Sequence, residues 1–345
     1  MKRLRLRVAL VAILLVAAWL GLRQYEESWL AAPLAGLQQP VVFRLPAGAS
    51  LTAVADSLEE SGWLDRKWIW IHHAKRTGAS TSIKAGEYLL RPGTTPAALL
   101  RNFVEGSVLL HTLTIPEGWT FRQALAAIQA HPVVVVELAD LSPDELMKRL
   151  GLAGHHPEGL FFPDTYRFPR GTTDRELLLQ AHARLEAELA AAWDRRIAGL
   201  PLSTSYEALI LASLVEKETG EPDERPLIAG VFINRLRIGM RLQTDPSVIY
   251  GMGDSFDGDL RRRDLQDDTP YNSYTRAGLP PTPIAMVGRA ALEAAVRPAK
   301  TDVLYFVATG KGDGRHYFST SLVAHNANVA RHLANLRGGS PLQVR

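Results

Sequence analysis

The sequence predicts an α+β protein in three parts: an apolar N-terminal helix, a small α/β module and a larger mixed α+β domain. Three observations lead there. An apolar run near the N-terminus is flanked by positive charge. Helical periodicity dominates the rest of the chain, and only a few short, separate segments alternate like strands. The 345 residues, 46% hydrophobic and 22% charged, are enough for two ordinary domains with real cores.

At the N-terminus, Lys2, Arg3, Arg5 and Arg7 precede an uninterrupted apolar run at 8–22, and Arg23, Glu26 and Glu27 follow it. A run of about 15 residues is short of the roughly 20 that span a bilayer. Snorkelling of Arg7 and Arg23, with Trp19 near the interface, makes up the difference. No small-x-small cleavage site follows directly, so an uncleaved transmembrane anchor over 8–23 is expected rather than a secretory signal. A helix packed on the side of a soluble domain would show a polar face, and this run has none. The positive flank places residues 1–7 in the cytoplasm and the rest of the chain outside it. Residues 24–40, with Pro33, Gly36 and Pro40, read as a linker.

Residues 41–110 form the small module. The stretch 41–45 alternates like a strand, and Ser50 is a helix N-cap signal before Leu51, Val54, Ala55 and Leu58 at helical spacing. A second helix is expected over 67–77, with Trp68, Ile71 and His72 on one face, then a strand at 84–90 and a third helix at 96–105. This strand–helix–helix–strand pattern resembles a LysM-like module, a small fold that binds glycans containing N-acetylglucosamine. The alternative is a structural module in which Trp63, Trp68 and Trp70 are core residues.

Residues 111–345 make the larger domain. It should hold a strand at 113–116, a helix at 120–128 capped by Thr120, and an aromatic loop-to-strand segment at 155–167. Long helices are expected at 175–192, 206–219, 227–237 and 321–336. A hairpin at 304–319 turns on Gly310, Gly312 and Gly314.

Composition removes several function classes. The net charge is +3 with acids and bases interleaved, against the one-sided basic face of a nucleic-acid binder. No cysteine is present, which excludes a disulfide framework, a zinc ribbon and a thiol nucleophile. There is no phosphate loop, His-Glu-x-x-His pair or Gly-x-Ser-x-Gly elbow, and the ten histidines lack metal-ligand spacing. No metal or cofactor is expected.

Carboxylate chemistry remains. The nearly all-apolar helix at 206–219 ends in Glu216 and Glu218. Glu218 shares a face with Leu211, Leu214 and Val215, so a carboxyl there is partly desolvated and lies at the negative end of the helix dipole. Both effects raise its pKa, as a general acid working near neutrality requires. Glu216 lies on the face of Leu209, Ala212 and Ser213, and periodicity alone does not choose between the two. The competing reading makes both solvated side chains of a fraying last turn. Downstream, residues 240–281 carry Tyr, Asn, Gln and Asp in Gly- and Pro-rich surroundings, and so long a loop is uncommon unless functional.

The segments EGLFFPDTY at 158–166, ASLVEKET at 212–219, VFINRL at 231–236, MRLQTDPSVIY at 240–250, YNSY at 271–274, GLPP at 278–281 and LYFV at 304–307 occur in this order. Together they resemble the signature of the endolytic murein transglycosylases of the MltG, or YceG-like, family. The resemblance implies an inner-membrane, single-pass enzyme with its catalytic domain in the periplasm. It implies that Glu218, the second Glu of Glu-Lys-Glu-Thr, is the one acid–base residue, cleaving the MurNAc–GlcNAc bond of peptidoglycan strands to leave 1,6-anhydroMurNAc ends. Gln243, Asp245, Tyr271, Asn272 and Tyr274 would contact or orient substrate, and peptidoglycan synthases would be partners. One departure is the acid-rich loop at 254–268. Two other readings stand beside this one: a membrane-anchored, non-catalytic glycan-binding scaffold, and a hydrolase in which Asp245 positions a water.

Overall fold

The computed structural model describes residues 2–338. The chain divides into two compact units, one running up to His111 and taking back Arg167–Gly171, the other holding Thr112–Tyr166 and the chain from Thr172 onward.

The first unit contains α1 (Lys2–Ala31), β1 (Val41–Leu45), α2 (Leu51–Glu60), α3 (Lys67–Arg76), β2 (Gly86–Leu90) and α4 (Pro96–Glu105). Among the described residues, α1 is the one helix long and apolar enough to cross a membrane. Local chemistry sets the other helix starts. Ser50 accepts a hydrogen bond from Ala53 N–H at the head of α2, and Thr95 does the same from Ala98 N–H at the head of α4, where Pro96 takes the first helical position. Strands β1 and β2 pair antiparallel from Val41↔Leu90 to Leu45↔Gly86. Behind them Phe43, Trp70 and Tyr88 pack their rings around Phe103. The expected strand–helix–helix–strand order is present. Its tryptophans split: Trp70 is fully buried, Trp63 half-buried, and Trp68 is 65% exposed. The stretch read as a linker from its Pro and Gly also holds Leu30, Leu34 and Leu37, and these three are buried in the unit's core. Helix α1 therefore passes directly from its apolar run into the packing of this unit.

The second unit contains α5 (Phe121–Gln129), α6 (Pro143–Arg149), α7 (Asp174–Asp194), α8 (Ser205–Glu218), α9 (Arg225–Arg237), α10 (Asp245–Met252), α11 (Arg289–Val296) and α12 (Leu322–Gly338). Strands β3 (Leu110–Thr114) and β4 (Thr165–Pro169) pair with each other, and so do β5 (Tyr305–Ala308) and β6 (His316–Ser319). The predicted hairpin is present in antiparallel register, Tyr305↔Ser319 to Ala308↔His316.

Helix α8 is the centre of this unit. Every residue from Ala208 to Val215 is buried, because α7, α9, α10 and α11 surround it. A helix apolar on all sides needs such a position. Close packing fixes two glycines. In α9, a Cβ at Gly230 would come within 2.8 Å of the Ala299 carbonyl oxygen. Gly159, at φ +77°, lies where a Cβ would meet Pro283 at 2.4 Å.

Three helices do not stand out in the sequence. α6 is seven residues long, and Ser142 and Glu145 close its capping box. α10 and α11 have eight residues each; α10 interrupts the region read as a long loop, and α11 follows it. Helices this short hold too few turns for a period to register, and packing against α8 stabilises α10 and α11.

Candidate active site

Helix α8 stops at Glu218 because Thr219 turns to extended backbone, φ −147° and ψ 137°. Its last two carboxylates part here. The Glu216 side chain is 4% exposed, accepts a hydrogen bond from Gly288 N–H at 3.0 Å and faces Arg225 at 3.4 Å. Burial raises its pKa, and its oxygens are occupied by structural partners. Glu218 is half-buried and opens on a cleft of about 640 Å³. Its Oε1 accepts a hydrogen bond from Thr244 Oγ1. Burial pushes the Glu218 carboxyl up to about 7. The Thr244 hydroxyl and the Arg235 charge oppose that rise, and the Asp245 charge adds to it. The carboxyl is therefore poised to give and take a proton near neutral pH.

Thr244 is itself tightly held. Its N–H donates to Ser273 Oγ at 2.9 Å, and its carbonyl accepts from Ser247 Oγ at 2.8 Å. The preceding residue, Gln243, has φ +49°, uncommon for a residue with a side chain. Its N–H donates to Ser273 O at 3.1 Å, so two strands of loop lock the turn that delivers Thr244 to Glu218. Arg235, 6% exposed, braces the same floor by donating to Leu304 O at 2.7 Å and Leu242 O at 2.6 Å.

Gln243, Asp245 and Tyr274 line the cleft with Glu218. Tyr274 Oη donates to Asp245 Oδ1 at 2.5 Å, which leaves that carboxylate oriented by a phenol. The structure separates the other two expected residues from this group. Asn272 is 1% exposed and staples the 264–274 loop, donating to Asp264 O and Asp267 O while accepting from Tyr274 N–H. It thereby holds Tyr274 in place. Tyr271 lines a second cavity of about 690 Å³ with Glu158, Tyr250 and Lys217. Burial raises the Glu158 carboxyl to about 7, opposed by the hydrogen bond it accepts from Phe121 N–H at 2.9 Å. Lys217 and Glu218 are consecutive, as are Asp245 and Pro246, and each pair gives one side chain to each cavity. The two cavities therefore adjoin across the ends of α8 and α10.

The sequence reading missed Thr244, Arg235, Tyr305, His316 and His325, all at or beside Glu218's cleft. His316 Nδ1 lies 2.8 Å from Glu224 Oε2, and the His325 ring stacks on Tyr305. Thr244 adjoins two residues that were singled out, but no residue-type signal separates a positioning hydroxyl from a turn hydroxyl. Among the described residues, no group of three or more His, Asp or Glu side chains is placed to hold a metal ion.

An α+β unit with a half-buried carboxyl at the mouth of an aromatic, polar cleft has the arrangement that an enzyme of carboxylate acid–base chemistry requires. The profile of the YceG-like family matches residues 43–331. The chain is 32% identical over 312 residues to the endolytic murein transglycosylase of Bacillus subtilis, covering 86% of this chain and 85% of that protein. It is 30% identical to the endolytic murein transglycosylase of Streptococcus pneumoniae, covering 94% of this chain and 64% of that one. A crystal structure of a yceG-like protein from Listeria monocytogenes superposes with a TM-score of 0.54 at 30% identity, over 84% of this chain and 99% of that chain. This chain belongs to the YceG-like family.

Proposed function

We propose that this protein is an endolytic murein transglycosylase that cuts peptidoglycan strands at the MurNAc–GlcNAc bond without water. The observation that carries the reading is Glu218, a carboxyl pushed up to about 7 that opens on a cleft of about 640 Å³, a volume in the range of ligand-binding clefts. In this reading the protonated Glu218 gives its proton to the glycosidic oxygen as the bond to the muramyl anomeric carbon breaks. The muramyl 6-hydroxyl oxygen forms the new bond to that carbon, and its proton returns to Glu218. No water is consumed, and the product end is 1,6-anhydroMurNAc. One carboxyl serves both steps, unlike the paired acids of glycoside hydrolases. Asp245, held by Tyr274, orients the sugar with Gln243, and Tyr271 meets the strand in the adjoining cavity.

The layout follows the same reading. Residues 1–7 lie in the cytoplasm, α1 anchors the chain in the inner membrane, and the chain beyond it faces the periplasm. Residues 41–110 act as a LysM-like glycan-holding module ahead of the catalytic domain at 111–345. Trimming nascent strands makes peptidoglycan synthases natural partners.

The test incubates the full chain in detergent with purified peptidoglycan, beside Glu218→Gln, and weighs the released fragments. Anhydro ends from the parent and a loss of about 10²–10⁴-fold in the variant are expected. Reducing ends would move the catalytic water to Asp245 and make the protein a hydrolase. Binding without products from either protein would leave a glycan-binding scaffold.

A further inference from the structure

We propose that α3 lies in the headgroup layer of the bilayer that α1 crosses, with Trp68 as its anchor. The proposal rests on the reading of α1 as a membrane span. Helix α1 is unbroken through Ala31, so the contacts of its last two turns set the height of whatever they hold. They hold α3 at both ends. The Arg66 guanidinium stacks on the Tyr25 ring at 5.3 Å, and Trp29 Nε1 donates to Asp65 at 2.9 Å. At the other end Arg76 donates to Glu26 Oε1 at 2.9 Å, with His73 Nδ1 3.3 Å from the same oxygen. Leu30, 5% exposed, locks the end of α1 into the core of the same unit.

The apolar run ends at Leu22. At about 1.5 Å rise per residue, Tyr25 and Glu26 stand roughly 5–6 Å beyond it. A headgroup layer is about 5–7 Å deep on each side of the hydrocarbon core. Residues tied to Tyr25 and Glu26 therefore stand at headgroup height. On α1 itself, Arg23 over the Trp19 ring at 5.2 Å fits the same interface.

The face of α3 turned away from the core is made for this layer. Trp68, His72 and Lys75 recur at i, i+4 and i+7 and are all exposed, Trp68 by 65%. An indole prefers the boundary between apolar and wet surroundings, and cations there meet anionic headgroups. Lys67 is engaged by Asp56 and Glu59 and Arg76 by Glu26, so the positive charge this face offers to lipid comes from Lys75 near the end of the helix.

The chain has no cysteine, so a single introduced one carries a unique label. Full-length Leu15→Cys and Trp68→Cys, each bearing a nitroxide, would be placed in vesicles of phosphatidylethanolamine and phosphatidylglycerol. Relaxation by oxygen reports hydrocarbon, and relaxation by a water-soluble nickel chelate reports water. The label at 15 should see oxygen alone, and the label at 68 should see both reagents. A label at 15 in hydrocarbon with one at 68 seen only by nickel overturns the proposal and leaves the anchor standing. A label at 15 open to nickel removes the anchor and the proposal with it.

Discussion

In the proposed reaction Glu218 supplies the proton, and Thr244, which donates its hydroxyl hydrogen to that carboxyl, tunes it. Thr244's hydroxyl favours the ionised carboxyl, so Thr244→Val should raise the Glu218 pKa further. The alkaline limb of the pH–rate profile, set by loss of the acid, should move up by about one pH unit. An unmoved profile would mean that the hydroxyl only fills space. Glu218 also costs stability. Its folded pKa of about 7 lies above the ordinary value of 4.5, so the folded state holds its proton more tightly. Stability from this group is full below pH 4.5 and declines as pH rises through 7. Glu218→Gln should therefore melt higher than the parent at pH 8, by an amount on the order of 1–3 kcal/mol, and alike at pH 4. Paired thermal melts at the two pH values check the sign.

At the scale of elements, packing overrides local preference. Gly230 sits inside α9, where Ala would be favoured by about 1 kcal/mol on helix propensity alone. The added methyl would lie 2.8 Å from Ala299 O and 2.9 Å from Thr301 Cγ2. Gly230→Ala should lower the Tm, since moving backbone costs more than propensity returns, typically about 1–3 kcal/mol. A higher Tm would show that the 299–301 segment yields freely. The same competition explains which elements the sequence displays. Helices α2, α5, α7 and α8 carry caps or long apolar patterns that a period detects. α10 and α11 carry neither, and their neighbours in the second unit make them helices.

At the scale of the whole molecule, the start of the first unit matters. Leu30, Leu34 and Leu37 are core residues, so a chain beginning at residue 24 should fold as a soluble protein, whereas one beginning at residue 40 lacks three buried leucines. Each buried leucine is worth about 2–5 kcal/mol. The shorter chain should melt well below the longer one, or be degraded by a protease that the longer one resists. Equal melting would place those leucines outside the working core.

What the sequence determined by itself was everything written in local periods and caps. The apolar N-terminal helix, the order of strands and helices in the first unit, the closing hairpin and the carboxylates ending α8 all depend on residues within a few turns of one another. Only the tertiary structure shows how differently Glu216 and Glu218 are surrounded. Both lie in the last turn of α8, and what separates them is far away in the chain: Gly288 and Arg225 occupy one, and Thr244 and the cleft receive the other. It likewise sent Tyr271, Asn272 and Tyr274, three of four consecutive residues, to a second cavity, a buried staple and the cleft. A period records which side of its own element a residue faces. What waits on that side is set by segments that folding brings from elsewhere.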